Sequence, residues 1–282
     1  MPAPQAAVMK LAAKNKFMSF GIKLPQKWAQ PMAMAGKQYV DAFTLSEHVF
    51  PDTGNKLFIP ATTNKYHVET AKKMGKDYAK FIDDICTAIC TGWQQWMAAS
   101  TITKVIISAN VGTITPGSIV GPPLFPLALA PAPKHKPFLA KYSTAIATAV
   151  GNAWTTWSMG YMGTLQYPPT FATCPSPVHP PTPNIPMPVK MAGSSPGESM
   201  LQVAALKSSM IGLLGDPKAP HHKELFESVA TAFKSSFDQW ALSTQVSNVL
   251  GTGPVPTFCP PWVPVGPVLG GMGNGVPGSV FM

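Results

Sequence analysis

Ile85-x-Thr87-Ala88-Ile89-x-x-x-Trp93-x-x-Trp96 is the stretch that decides how this chain is read, because it recurs twice more. The second copy is Ile146-x-Thr148-Ala149-Val150-x-x-x-Trp154-x-x-Trp157, and the third is Val229-x-Thr231-Ala232-Phe233-x-x-x-Phe237-x-x-Trp240. No copy needs a gap. Apolar residues spaced by threes and fours fall on one face of an α-helix, so each copy predicts an amphipathic helix with an aromatic end. The small threonine and alanine inside each copy permit close helix approach. Repeated supersecondary units point to a structure made by stacking or symmetry rather than to a single catalytic cleft. The tryptophans therefore read as core anchors, not as a ligand box.

Working outward, the helical period predicts helices over 66–98, 138–161, 200–214 and 223–247. The β-branched run 101–107 predicts one strand. A short helix over 32–43 and a turn at 51–55, opening a small hairpin that ends at Leu57-Phe58-Ile59, are expected near the N-terminus. Behind each tryptophan-bearing helix comes a tail rich in proline and glycine. Val111-Gly112-Thr113-Ile114-Thr115-Pro116 in the first corresponds to Val255-Pro256-Thr257-Phe258-Cys259-Pro260 in the third. Val120-Gly121-Pro122-Pro123-Leu124 is likewise echoed by Val265-Gly266-Pro267-Val268-Leu269. The expected fold is mainly α with short β segments, as three helix-plus-proline-rich-arm repeats packed pseudo-symmetrically. The expected layout is an N-terminal arm (1–65), repeat one (66–133), repeat two (134–190), a linker and helix (191–222) and repeat three (223–282).

Composition narrows the function. The chain has 282 residues, a net charge of +9 and 32 prolines, and charged residues make up only 12%, about half the usual share. All its cationic side chains are lysines. Sequence-specific nucleic-acid recognition relies on the planar arginine fork, so that class is excluded as an expectation. The charge-free tracts 105–133, 142–189 and 239–282 are long enough to span a bilayer, but prolines puncture each, and extended backbone with unpaired polar groups cannot face lipid. No stable membrane insertion is expected. Met1-Pro-Ala-Pro-Gln lacks the charged-then-apolar pattern of a secretion leader, and the four cysteines have no zinc-like spacing. The expectation is synthesis in a reducing cytosol, with Cys86 and Cys90 as buried free thiols.

Chemical motifs are lacking. Asp83 and Asp84 are neighbours on a helix and point about 100° apart, so they make no acid–base pair. Glu198 reads as solvated or at most as support for the start of the next helix, His221-His222 as a solvated helix entry, and Gly270-Gly271-Met272-Gly273-Asn274-Gly275 lacks the lysine and helix of a phosphate loop. No catalytic, cofactor or metal residue is assigned. The tails pose a different question, since polyproline-like segments have no internal hydrogen bonds and apolar ones aggregate unless covered. Pro116, Pro122, Leu124, Phe125, Phe171, Pro175, Phe258, Pro260, Trp262 and Pro267 are the expected contact points of interaction arms, lying on the chain's own helices or on neighbouring subunits.

Helices that end in small and aromatic residues and are followed by a Val/Gly/Pro-rich arm, over residues 79–282, resemble uncharacterised structural proteins of tailed phages and related contractile injection machines. The resemblance implies a non-enzymatic structural subunit of a tail, baseplate or capsid-associated particle, made in the cytoplasm and carried in the virion or tail-like particle. Its partners would be other protein subunits of a large assembly, and no functional residue is carried over. The competing reading is a membrane-active or secreted effector that lacks a recognisable signal peptide.

Overall fold

Three long helices run directly into strands, and that succession sets the architecture. The computed structural model describes residues 4–25, 56–61, 63, 65–134, 137–257 and 265–282. The expected helix at 32–43, the turn at 51–55, Phe258, Pro260 and Trp262 lie outside them. Helix α1 (Ala6–Ser19) buries Met9, Ala13 and Phe17 at a spacing of four. Helix α2 (Lys65–Ala99) contains no proline and buries Phe81, Ile82, Ile85, Ile89, Trp93 and Trp96 along one stripe. Strands β1 (Thr101–Ile102), β2 (Val105–Ser108), β3 (Val111–Ile114) and β4 (Ile119–Val120) follow, then a short α3 (Leu124–Leu129) and α4 (Pro137–Gly160). Next come β5 (Met162–Gln166), β6 (Val178–Pro183), β7 (Met187–Pro188), a one-turn α5 (Val189–Ala192) and β8 (Gly193–Ser194). The chain finishes with α6 (Val203–Leu214), α7 (His222–Ser243), β9 (Gln245–Val246), β10 (Val249–Pro254) and β11 (Leu269–Gly275). Among the described residues helices take about 53% and strands about 20%, so the fold is mixed, with more sheet than short β segments imply.

Helix starts and ends follow the sequence pattern closely except at the sheet. Helix α6 stops at Gly215, whose φ of 63° supplies the left-handed C-terminal residue that helices favour. Helix α7 ends at Ser243, short of the expected 247, because Thr244 is extended and leads into β9. The run 101–107 is two strands, not one. Lys104 takes a left-handed φ of 58°, after which β2 pairs with β3 and β11 while β1 pairs with β4. Ile59, the end of the expected hairpin, pairs its backbone with Ile22 and Leu24.

Around the bundle, α2, α3, α4, α6, α7 and α1 adjoin one another in turn, and α1 returns to α2. Long and short helices therefore alternate. The polypeptide of α3 is wedged between its long neighbours at two glycines. A Cβ on Gly92 of α2 would come within 2.8 Å of the Ala128 backbone nitrogen, and one on Gly151 of α4 within 2.6 Å of Phe125 Cβ. Helix α4 has Lys141 as its one charged residue and only Thr144, Asn152, Thr155 and Thr156 as its exposed polar ones, and it sits among α3, α6 and the 3-10 turn Pro196–Leu201.

Seven of the eleven described strands form one antiparallel sheet in the order β6-β10-β11-β2-β3-β5-β8, and β1 with β4 and β7 with β9 form two-stranded pairs. Val105, Ile107, Ile114, Leu165 and Val249 on its inner face join the same continuous core as the helices. Tyr167 lies over a floor of glycines: a Cβ on Gly112, Gly251 or Gly273 would come within 2.7, 2.5 and 2.5 Å of its side chain. Phe171 packs on Tyr167 and His179 stacks on Phe171, so this apolar layer closes the inner face from within the chain.

The expected arm over 116–133 is thus part of the folded body, since it contributes β4 and α3 and buries Leu124, Ala128 and Ala132. Its α3 segment should resist limited proteolysis of the purified chain as long as the helices remain folded. Rapid cleavage within 124–129 in a fully helical sample would contradict the wedge. Gly92→Ala and Gly151→Ala should each cost on the order of 1–3 kcal/mol, because backbone rather than a flexible side chain stands in the way. Urea denaturation followed by circular dichroism measures this. A loss below a few tenths of a kcal/mol in both would show that α3 can shift.

Candidate functional site

The repeated residues meet at the ends of the three long helices. Ile85, Ile89, Trp93, Trp96, Ile146, Val150, Trp154, Trp157, Val229, Phe233, Phe237 and Trp240 are all buried. Trp93 lies 4.5 Å from Trp154 and 5.3 Å from Trp240, and Trp154 lies 5.7 Å from Trp240, measured between ring centroids. Trp157 adds contacts to Phe237 and Trp240, and Phe281 from the C-terminus covers Trp96 and Trp240. Most of these rings meet edge to face, the arrangement their quadrupoles favour. The indole N–H groups of Trp93, Trp154 and Trp240 have no oxygen or nitrogen partner, and neighbouring ring faces are the surroundings left to them. This is a packed core with no opening for a ligand.

The groups that the sequence singled out are buried without a reaction partner or tied up in ion pairs. Cys86, Cys90 and Cys174 are buried and free. Burial pushes the Cys86 thiol far up and the Cys90 thiol up to about 11, so neither offers a thiolate near neutral pH. Lys14 pairs with Asp83 at 2.7 Å and Lys80 with Asp84 at 2.7 Å. Glu198, expected to be solvated, accepts hydrogen bonds from Lys190 at 2.9 and 2.7 Å, and Ser195 caps the turn that carries it. The described residues contain no cluster of three or more metal-ligand side chains.

His221-His222 is not the solvated helix entry expected. His222 is buried with Nδ1 2.6 Å from the Ala219 carbonyl, and the His221 ring packs edge-on against Phe58. The preceding Pro220 carbonyl accepts hydrogen bonds from the Tyr78 hydroxyl at 2.9 Å and the Tyr142 hydroxyl at 2.8 Å. Those bonds draw the start of α7 inward, which sequence spacing could not reveal. Between α1 and α2 lies a cavity of about 640 Å³, with an apolar floor that includes Leu11, Met18 and Val68, and with Lys14, Lys56, Lys72 and Lys76 among its lining residues.

The expected interaction arms divide. Leu124 and Phe171 are buried, Pro122, Phe125 and Pro267 are half-buried, and Pro116 and Pro175 are exposed. Phe125 faces Gly151, and Phe171 belongs to the layer on Tyr167, so the described large side chains of these arms serve the protein's own core.

What is exposed instead is the outer face of the sheet. Along β10, β11 and β2 the outward positions include Leu250, Met272 and Ile106, and Met272 sits opposite Ile106 in register. Ile106 is 56% exposed and Met272 52%. Thr252 flanks Met272 on β10, and Thr113 and Thr164 continue the row across β3 and β5. None of the described strands carries a lysine, aspartate or glutamate. Solvent-facing sheet surfaces normally alternate apolar-in with polar or charged-out. The signal was legible as three charge-free tracts, but only their pairing in one sheet turns them into a surface.

Charge is confined largely to the helices. One ionic node there is Glu227 of α7, which pairs with Lys207 of α6 at 2.7 Å and Lys16 of α1 at 2.9 Å. These hydrogen bonds hold its carboxyl below the usual value of 4.5. A depressed folded pKa stabilises above the unfolded pKa, and that contribution is lost as pH falls through the folded value. Because the groups are partly exposed, Glu227→Gln should cost no more than about 1 kcal/mol at pH 7, and the difference should shrink as pH falls through 4.5 and vanish once pH is below the folded value. Thermal denaturation of both proteins across that range measures it, and an undiminished gap at low pH would contradict the ionic origin.

Comparison with protein-family models, with curated proteins and with solved structures returns no match.

Proposed function

We propose that this chain is a non-enzymatic structural subunit of a large protein assembly, joined to its neighbours through the uncharged outer face of its sheet. The observation that carries the reading is the segregation of charge. The described strands have no ionic side chain, yet they present Ile106, Met272 and Leu250 to solvent, while most of the described lysines and carboxylates lie on helices and Lys104 is the exposed cation in the turn between β1 and β2. Patches of this kind on a folded protein mark surfaces that another protein covers. Covering such side chains returns on the order of 1 kcal/mol each, discounted because they are only half exposed.

The three helix-to-strand units support a scaffold rather than a cleft. We read α2 with α3, α4 with α6, and α7 with α1 as three pseudo-symmetric long-plus-short helix pairs derived by duplication, each long helix delivering a strand to the same end. The resemblance to structural proteins of tailed phages and contractile injection machines suits this arrangement and points to a tail or baseplate particle. The partner-facing role passes from the proline-rich arms, whose described large side chains are mostly internal, to the sheet.

Density-gradient fractionation of native lysate tests the reading. The tagged chain should co-migrate with a particle of defined subunits, and Met272→Lys should release it while its circular dichroism stays unchanged. Recovery of wild type only at the size of free chain, under conditions where particles are intact, would overturn the proposal.

A further inference from the structure

We infer that Cys86, Cys90 and Met9 form a three-sulfur site for a soft monovalent metal ion, copper(I), at the seam between α1 and α2. The site is separate from the sheet face and stands whether or not that face docks a neighbour. Histidine, cysteine and carboxylate side chains gather in no group of three among the described residues, but methionine sulfur supplies the third donor here. Cys86 and Cys90 are one turn apart on α2, so their Cβ atoms lie about 6 Å apart on one face of the helix. Met9 of α1 packs on Cys90, whose thiol donates to the thioether with Sγ and Sδ 3.8 Å apart. Metal–sulfur bonds of about 2.3 Å put the sulfurs of a trigonal set about 4 Å apart, so the Cys90–Met9 edge already has the required length.

The donor set names the ion. Thiolate and thioether are soft ligands and select copper(I), whereas zinc takes four ligands, usually with nitrogen or further thiolate among them. The nearest carboxylate along the helix, Asp83, is one turn before Cys86 and is held by Lys14 at 2.7 Å. Burial suits a low coordination number as well. Met9 and Cys86 are fully buried, so water is kept from adding as a further ligand, and Cys90, 6% exposed, is where the ion enters.

Loading is a proton exchange. The two thiols release their protons to water as two copper–sulfur bonds form, and the thioether adds through a lone pair, with no change of oxidation state. Burial first, and then the neighbouring Cys90, keep the free Cys86 thiol protonated, but a coordinating metal removes such a proton outright. Two thiolates and one copper(I) leave a single negative charge. Lys10 acts on both thiols and Lys14 on Cys86, so cations of α1 stand beside the complex. Asp83 opposes them at Cys86, and its pairing with Lys14 blunts that effect.

Anaerobic titration of the reduced full chain with copper(I), in competition with a chromophoric copper(I) chelator, is the test. Wild type should take up one ion per chain, and X-ray absorption at the copper edge should show a shell of sulfur alone at about 2.3 Å. Cys86→Ala and Cys90→Ala should each weaken binding by roughly a hundredfold or more, and Met9→Leu by roughly tenfold. Met9→Leu conserves volume and leaves helical content unchanged, so it keeps the test in force even where a cysteine variant unfolds. The double variant Cys174→Ala/Cys259→Ala should bind as wild type does. A wild type that holds no copper(I) against the chelator overturns the inference. So does binding that survives Cys90→Ala or Met9→Leu unaltered, and so does zinc held as tightly as copper(I).

Discussion

Everything else in this protein hangs on one packing event, the meeting of Trp93, Trp154 and Trp240 where three long helices end. Indole rings are wide, so helices joined through them cannot come close along their length. The gaps between the long helices have to be filled by something thinner. Helices α1, α3 and α6 do this, and Gly92 and Gly151 let the backbone of α3 slide between α2 and α4. The alternation of long and short helices is therefore a consequence of the aromatic joint. The joint carries a cost, because buried indole donors left without a polar acceptor lose roughly 1–3 kcal/mol each. Burial of the large rings, with edge-to-face contacts among them, offsets it.

The same joint places the sheet. Each long helix ends on a tryptophan that is pinned in the core, and the residues just beyond it leave from one end of the bundle as β1, β5 and β9. Non-local pairing then builds the larger sheet, with glycines beneath Tyr167 allowing an aromatic layer against its inner face. Placing the strands at the helix ends also separates polar from apolar surface. The charged residues of α2 lie mostly toward its start, and after Asp238 the chain has no further ionic side chain. The molecule consequently has an ionic helical body and a neutral sheet, and the second is the surface on which the functional argument rests.

Much of this was legible in the residue order, and the exceptions have physical causes. The long helices were readable because periodic apolar residues without proline leave a segment little alternative. The copies of the tryptophan pattern were readable as core for the same reason. The sheet was not. Its strands read as proline-rich arms, since short strands with glycine and proline carry weak local preference and are defined by partners far away in the chain. The break at Lys104 and the inward turn at Pro220 were hidden too, because a left-handed backbone at lysine and a carbonyl shared by two tyrosines are set by surroundings.

Residue order is enough to show that three like helices carry aromatic faces fit to pack together, that ionic chemistry is sparse, and that the basic charge comes from lysine alone. Periodicity and composition are local properties, so no fold is needed to read them. That the apparent arms are strands and a wedge helix, and that Ile106 of β2 and Met272 of β11 stand side by side on an exposed face, emerges only when the chain is folded. Register between strands distant in the chain is settled by the packing of the whole core, and no single segment encodes it.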